Sequence, residues 1–224
     1  MKFLLTSAGI KNPSIHNALV DLLGKPIAES SALCIPTATY ALPGGAAGAA
    51  LAWQFISGRQ PICPMCELGW KSLGVLELTA LPSIAEALWV PMVQEIDVLL
   101  VNGGDPLYLC YWMWQSGLAD LLSSLRAVYV GLSAGSLVMT PNIGEAFVHW
   151  TPPIGGDETL DLVDFAIFPH LDNEMLPDNS MAHAERWAAG MQVPGYAIDD
   201  QTAIQVIDGA IEVISEGRWK LFTS

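Results

Sequence analysis

The stretch Ala127-Val128-Tyr129-Val130-Gly131-Leu132-Ser133-Ala134-Gly135-Ser136 decides the fold. Its first half is apolar on consecutive positions, as expected of a strand covered on both faces. Its second half is small and tight, and predicts a sharp turn into a short helix. A strand that feeds a helix this directly belongs to a parallel α/β sheet. The alternation continues on both sides of it. Apolar runs at 3–6, 32–35, 74–78, 97–101 and 164–168 predict further strands, and helices are expected over 13–23, 46–56, 83–90, 107–115 and 119–125. After Gly195 the runs shorten to 196–198, 202–207, 210–215 and 218–222, with Asp208-Gly209 and Glu216-Gly217 as hairpin signals. The sequence therefore predicts a single α/β domain over residues 1–224, with a mostly parallel central sheet and a C-terminal antiparallel addition.

Composition narrows the function classes. The 224 residues carry 9 Lys+Arg against 23 Asp+Glu, a net charge of −14. Only 14% are charged, against about 25% in an average soluble domain, while 52% are hydrophobic, which excludes intrinsic disorder. So few cations cannot line a phosphate backbone or an anionic bilayer, so neither nucleic acid nor membrane is an expected partner. The longest apolar stretch, residues 31–56, is interrupted by Pro36, Pro43 and Gly44-Gly45, short of the roughly 18 uninterrupted residues of a spanning helix. Four cysteines without a disulfide framework, and an N-terminus that reads as a strand, fit a cytoplasmic location.

Gly131-Leu132-Ser133-Ala134-Gly135 has the Gly-x-Ser-x-Gly form of a nucleophile elbow. Small neighbours allow the tight turn that lifts the serine out at the sheet end, and the Ala134 N–H would face a developing oxyanion. A serine needs a base. Of the four histidines, His16 and His183 lie in helical patterns and His149 in a Trp- and Pro-rich loop. His170 follows the strand ending Phe168-Pro169, at the sheet edge where open α/β folds place their chemistry. A second glycine signal, Asn102-Gly103-Gly104-Asp105-Pro106, also closes a strand. Gly103 and Gly104 there could offer backbone N–H groups to a substrate, while Asp105 caps the next helix.

Taken together, Met1-Lys2-Phe3-Leu4-Leu5-Thr6-Ser7, Cys34-Ile35-Pro36-Thr37-Ala38, Val101-Asn102-Gly103-Gly104-Asp105, Gly131 to Ser136, Phe168-Pro169-His170 and Ala197-Ile198-Asp199-Asp200 resemble, in order, the dipeptidase E-like serine peptidases. This family includes aspartyl dipeptidases and, more distantly, cyanophycinases. The resemblance implies a three-layer sandwich similar to class I glutamine amidotransferases. It also implies Ser133 as nucleophile, His170 as base, and the Gly104 and Ala134 N–H groups as oxyanion donors. The amidotransferase elbow carries cysteine, so Ser133 favours hydrolysis.

Two positions depart from the family pattern. Aspartyl dipeptidases place the triad Asp between Ser and His; a gapless count lands on Val148, so Glu145 becomes the expected third member, with Asp157, Glu158 and Asp172 as alternatives. An aspartyl substrate also needs a cationic anchor. Only Arg186 lies in the corresponding segment, where a gapless count lands on Ala184. Cys63-Pro64-Met65-Cys66 could be half a metal knuckle or a redox pair, but reads better as two ordinary thiols. The all-apolar run 107–114 is either core or subunit contact, so a homodimer is possible, and the loop 150–156 is a candidate substrate wall. The expected activity is cofactor-independent hydrolysis of small peptides. A general esterase or amidase, and a non-catalytic binding module, are the alternatives.

Overall fold

The computed structural model describes all residues except 43–45, 61, 154 and 224, so the Pro43-Gly44-Gly45 interruption and the Ile154 part of the loop lie outside the described residues. In chain order the elements are β1 (Lys2–Thr6), α1 (Pro13–Leu23), β2 (Ser31–Ile35), α2 (Ala46–Ile56), β3 (Ser72–Val75), α3 (Glu86–Glu95), β4 (Val98–Val101), α4 (Pro106–Gln115), α5 (Leu118–Leu122), β5 (Val128–Leu132), α6 (Ala134–Leu137), β6 (Ala166–Phe168), α7 (Met181–Ala188), β7 (Gly195–Ile198), β8 (Thr202–Ile207), β9 (Ala210–Ser215) and β10 (Trp219–Phe222). A seven-stranded sheet runs β3-β2-β4-β5-β1-β8-β9. Its first five strands are parallel, and β8 and β9 add antiparallel at the β1 edge.

The period-two geometry of the strands divides the core into two layers. Leu5, Leu33, Leu99 and Tyr129 face one side, against Val93 of α3 and Leu109 of α4. Leu4, Cys34, Leu100 and Val130 face the other, against Leu19 of α1 and Phe55 of α2. All four β4 residues are fully buried, which is why that run is apolar without alternation.

Three sequence expectations change. β3 spans Ser72–Val75 rather than 74–78, because pairing ends there while Leu76 and Leu78 turn into the core. α3 begins at Glu86 and continues through Pro91. The C-terminal antiparallel addition is present but divided between two sheets. β6, β7 and β10 make a separate three-stranded sheet in which β6 and β7 are parallel. Asp208-Gly209, both at positive φ, close the β8–β9 hairpin. Glu216-Gly217 instead passes the chain to the other sheet, because the Asp199 carboxylate takes the Arg218 N–H at 2.6 Å.

Most of the apolar run on α4 is covered, in two ways, while Trp114 at its end stays exposed. Leu107, Leu109, Cys110 and Met113 enter the core, while Trp150 lies edge-on to Tyr108 with ring centroids 5.4 Å apart, and 5.5 Å from Tyr111. Asp105 caps α4 through the Tyr108 N–H and also accepts the Trp150 N–H at 2.9 Å, so the following loop is tied to the helix start.

Candidate active site

Ser133 sits between β5 and α6 with φ 49° and ψ −111°, a conformation that non-glycine residues rarely adopt. Its neighbours explain how the turn is held. A Cβ on Gly131 would overlap the Gly135 carbonyl, and a Cβ on Gly135 would overlap the Val101 carbonyl, so both glycines are required by close backbone approach. Ser133 N–H donates to Thr6 O at 3.0 Å, Ser136 Oγ donates to Thr6 O at 2.8 Å, and the buried Tyr129 hydroxyl donates to Gly135 O at 2.7 Å. Strain at one residue is thus over-determined by β1, β5 and α6.

His170 follows β6, also at positive φ (55°). The Ser133 hydroxyl lies 2.9 Å from His170 Nε2, and His170 Nδ1 lies 2.7 Å from Asp200 Oδ1. A carboxylate accepts only, so Nδ1 carries the proton and Nε2 is free to accept from Ser133. Ser7, at the end of β1, accepts the His170 N–H at 2.8 Å and donates to Asp200 Oδ1 at 3.1 Å. Asn173 Nδ2 donates to Asp200 Oδ2 at 2.7 Å, and Lys11 Nζ stands 4.0 Å from the same oxygen. Partial burial pushes the Asp200 carboxyl up, but the bond and charge of His170, the Ser7 hydroxyl and Lys11 outweigh it and hold the group below the usual carboxylate range.

Backbone register makes this meeting. β6 and β7 pair in parallel with Phe168 beside Ala197, so two residues further on His170 reaches the β7–β8 turn that carries Asp200. Leu171 N–H donates to Ile198 O at 3.0 Å and fixes that alignment. Asp199 does separate work: its Oδ1 accepts from Gln201 N–H and the Thr202 hydroxyl, which shapes the turn.

The expected third member, Glu145, is not at the imidazole. It lies exposed in a one-turn helix, Glu145–Phe147, and Asp200 holds Nδ1 instead. The alternative carboxylates are likewise occupied elsewhere. Asp157 takes the Gly144 N–H, Glu158 the Gly156 N–H, and Asp172 the Met181 N–H at the start of α7. Among the described residues, Arg186 makes no hydrogen bond or ion pair with Ser133, His170 or Asp200. It is exposed on α7 and lines a cavity of about 300 Å³ with Phe147, Phe168, Asn179, His183 and Trp187. The other histidines stay apart as well: His16 and His149 are exposed, and His183 Nδ1 lies 2.7 Å from Ser180 Oγ.

The glycine loop after β4 does reach the nucleophile. A Cβ on Gly103 would stand 3.4 Å from Ser133 Cβ, and Gly104 (φ 141°) lies against the Ala38 carbonyl, where no Cβ would fit. Ala134 is the first residue of α6, so its N–H has no acceptor within the helix. All four cysteines are free thiols. Cys66 shares a hydrogen bond with Cys34, which with burial pushes its thiol far up, while burial raises the Cys63 thiol as well.

Sequence reasoning missed Asp200, Ser7 and Lys11. The available signal was position: Asp199-Asp200 closes an apolar run, as Ser7 does, and strand ends are where this fold gathers its polar groups.

Comparison with known proteins gives a consistent family. The model of peptidase family S51 matches residues 3–214. An uncharacterized peptidase of Pasteurella multocida is 26% identical over 117 residues, covering 49% of this chain and 56% of the relative. One from Listeria monocytogenes is 27% identical over 120 residues, covering 50% and 57%. The chain thus spans little more than half the length of these curated relatives. Among solved structures, a peptidase from an acI-B1 Actinobacterium superposes with a TM-score of 0.66 at 18% identity, over 100% of this chain and 94% of that one. A Listeria monocytogenes EGD-e protein described as a peptidase E gives 0.64 at 19%, over 96% and 98%. At those identities the structures establish the shared fold: a large, mostly parallel sheet between helices with added antiparallel strands.

Proposed function

Given that the chain belongs to peptidase family S51, we propose that it is a serine peptidase that hydrolyses small peptides, with Ser133, His170 and Asp200 as its triad. The observation that carries this reading is the relay of contacts from Ser133 Oγ through His170 to Asp200, at 2.9 and 2.7 Å. In the reaction, Ser133 Oγ attacks the scissile carbonyl while His170 Nε2 takes its proton. The oxyanion is received by the Gly104 and Ala134 N–H groups. Collapse of the adduct breaks the C–N bond, and His170 returns the proton to the leaving amine. Water then attacks the acyl-enzyme with His170 again as base, releasing the acid and restoring Ser133. Asp200 keeps the proton on Nδ1 throughout and stabilises the imidazolium.

Neutral or cationic dipeptides are the proposed substrates. The chain has a net charge of −14, and Arg186, the cation expected to hold an aspartyl side chain, lines a cavity between α7 and the Phe147 and Phe168 rings whose lining includes neither Ser133 nor His170. The test is turnover of a dipeptide panel by wild type and Ser133→Ala. The variant should lose about 10⁴-fold or more in kcat and keep its circular dichroism. Equal turnover by both proteins would overturn the assignment.

A further inference from the structure

The Gly103–Gly104 peptide is held by a short side-chain chain that the triad chemistry does not use. Thr39 Oγ1 donates to Gly103 O at 3.1 Å, and Asn102 Nδ2 donates to Thr39 Oγ1 at 3.0 Å. Both side chains belong to residues only 2% exposed. The next amide, Asp105 N–H, is engaged by Ala38 O at 2.9 Å. The chain of donors has a direction. A threonine hydroxyl has one proton and can point it either way. Because Asn102 presents an N–H to the oxygen, the proton is left for Gly103 O. In a trans peptide the C=O and N–H point to opposite sides. Drawing the Gly103 carbonyl towards Thr39 therefore turns the Gly104 N–H the other way, on a segment whose Gly103 stands beside Ser133. Among the described residues that N–H has no protein acceptor. Asn102 Oδ1 is also buried without a partner among them, so the amide sits where only its donor half is satisfied.

We infer that Thr39 and Asn102 are positioning residues that aim the Gly104 N–H at the oxyanion, with Asn102 setting the direction of the Thr39 proton. The inference rests on the function proposed above, and its test separates the two.

A fluorophosphonate is the probe. Ser133 Oγ bonds to phosphorus, the P–F bond breaks, fluoride leaves, His170 takes the hydroxyl proton, and the phosphoryl oxygen occupies the oxyanion position. Labelling rates are measured for wild type, Ser133→Ala, Thr39→Val, Thr39→Ser and Asn102→Asp. Hydrolysis of p-nitrophenyl acetate is followed in parallel. Thr39→Val keeps the shape and removes the hydroxyl, and should label about tenfold to a hundredfold more slowly. Asn102→Asp offers an acceptor that takes the Thr39 proton, and should fall in the same way. Thr39→Ser keeps the hydroxyl and should recover most of the rate. With the ester, the loss should appear in kcat at constant KM, which general loosening of the loop would not produce.

Wild-type labelling rates in folded Thr39→Val, or slowing in Thr39→Ser as large as in Thr39→Val, would overturn the positioning role alone. Failure of wild type to label at Ser133 would overturn the proposed function and this inference with it. If Thr39→Val does not fold, Asn102→Asp decides: an unchanged rate there rejects the inference, and a loss confined to kcat supports it.

Discussion

The carboxylate that orients His170 is decided by backbone register, and Asp200 and Glu145 show the consequence. A search for the acid between Ser133 and His170 follows chain order and arrives at Glu145. Parallel pairing of β6 with β7 carries the imidazole to a turn thirty residues later, where Asp200 accepts from Nδ1 at 2.7 Å. The two carboxylates therefore make opposite predictions. Asp200→Asn presents an amide that can hold the wrong imidazole tautomer, and should cost about 10³- to 10⁴-fold in kcat with little change in KM. Glu145→Gln, at an exposed turn, should leave turnover unchanged. Steady-state kinetics of both variants check this, and reversed effects would return the role to Glu145. Ser133 and His170 were legible because each carries a local signature: a glycine-flanked turn and a strand end. Asp200 also stands just past a strand end, but that signature does not pair it with His170, because the pairing is made by a partner strand distant in sequence.

At the scale of elements, what could be read from the sequence was whatever a single segment determines by itself. α1 keeps its expected limits because its caps and apolar periodicity are local: Asn12 takes the Ile15 N–H at 3.0 Å, and Gly24 closes α1 in the left-handed conformation. The C-terminal strands were found as strands, but their partners were not. Two short hairpin signals look alike in sequence, and only Asp199, which grips the amide after Gly217, distinguishes the one that crosses between sheets. Ion pairing across elements is similarly invisible. Asp97, just before β4, accepts Ser31 N–H at 2.8 Å and Ser31 Oγ at 3.0 Å from β2, and faces Lys25 Nζ at 2.8 Å. Partial burial raises its carboxyl, but Lys25 and Ser31 offset this and leave it below the ordinary range. A depressed folded-state value means stability that is present above the unfolded carboxylate pKa, about 3.9, and lost as pH falls through the folded value. Asp97→Asn should therefore lower stability by up to about 1 kcal/mol at pH 6, solvent screening included. The difference from wild type should shrink towards zero as pH is lowered past the carboxylate range. Urea melts across pH measure it, and a gap that widened on acidification would contradict the sign.

Across the whole molecule, the charge imbalance acts on any charged peptide before contact is made. Of nine cations, Lys11, Lys25, Arg218 and Lys220 already face carboxylates, at 4.0, 2.8, 3.6 and 2.8 Å, so four of the few positive groups are engaged within the fold. The net field of −14 then favours approach of cationic peptides and opposes anionic ones. Salt weakens this field, with a Debye length of about 30 Å at 0.01 M and about 10 Å at 0.1 M. Raising ionic strength through that range should lower kcat/KM several-fold for a lysyl dipeptide and raise it for an aspartyl one. A neutral alanyl dipeptide should be insensitive, and kcat itself should stay constant for all three, because the field acts on encounter and the proposed triad on chemistry. An aspartyl dipeptide whose kcat/KM instead fell with salt would reveal a local cationic site strong enough to reverse the global field. Repeating that titration with Arg186→Gln and Lys11→Gln would identify which side chain supplies it.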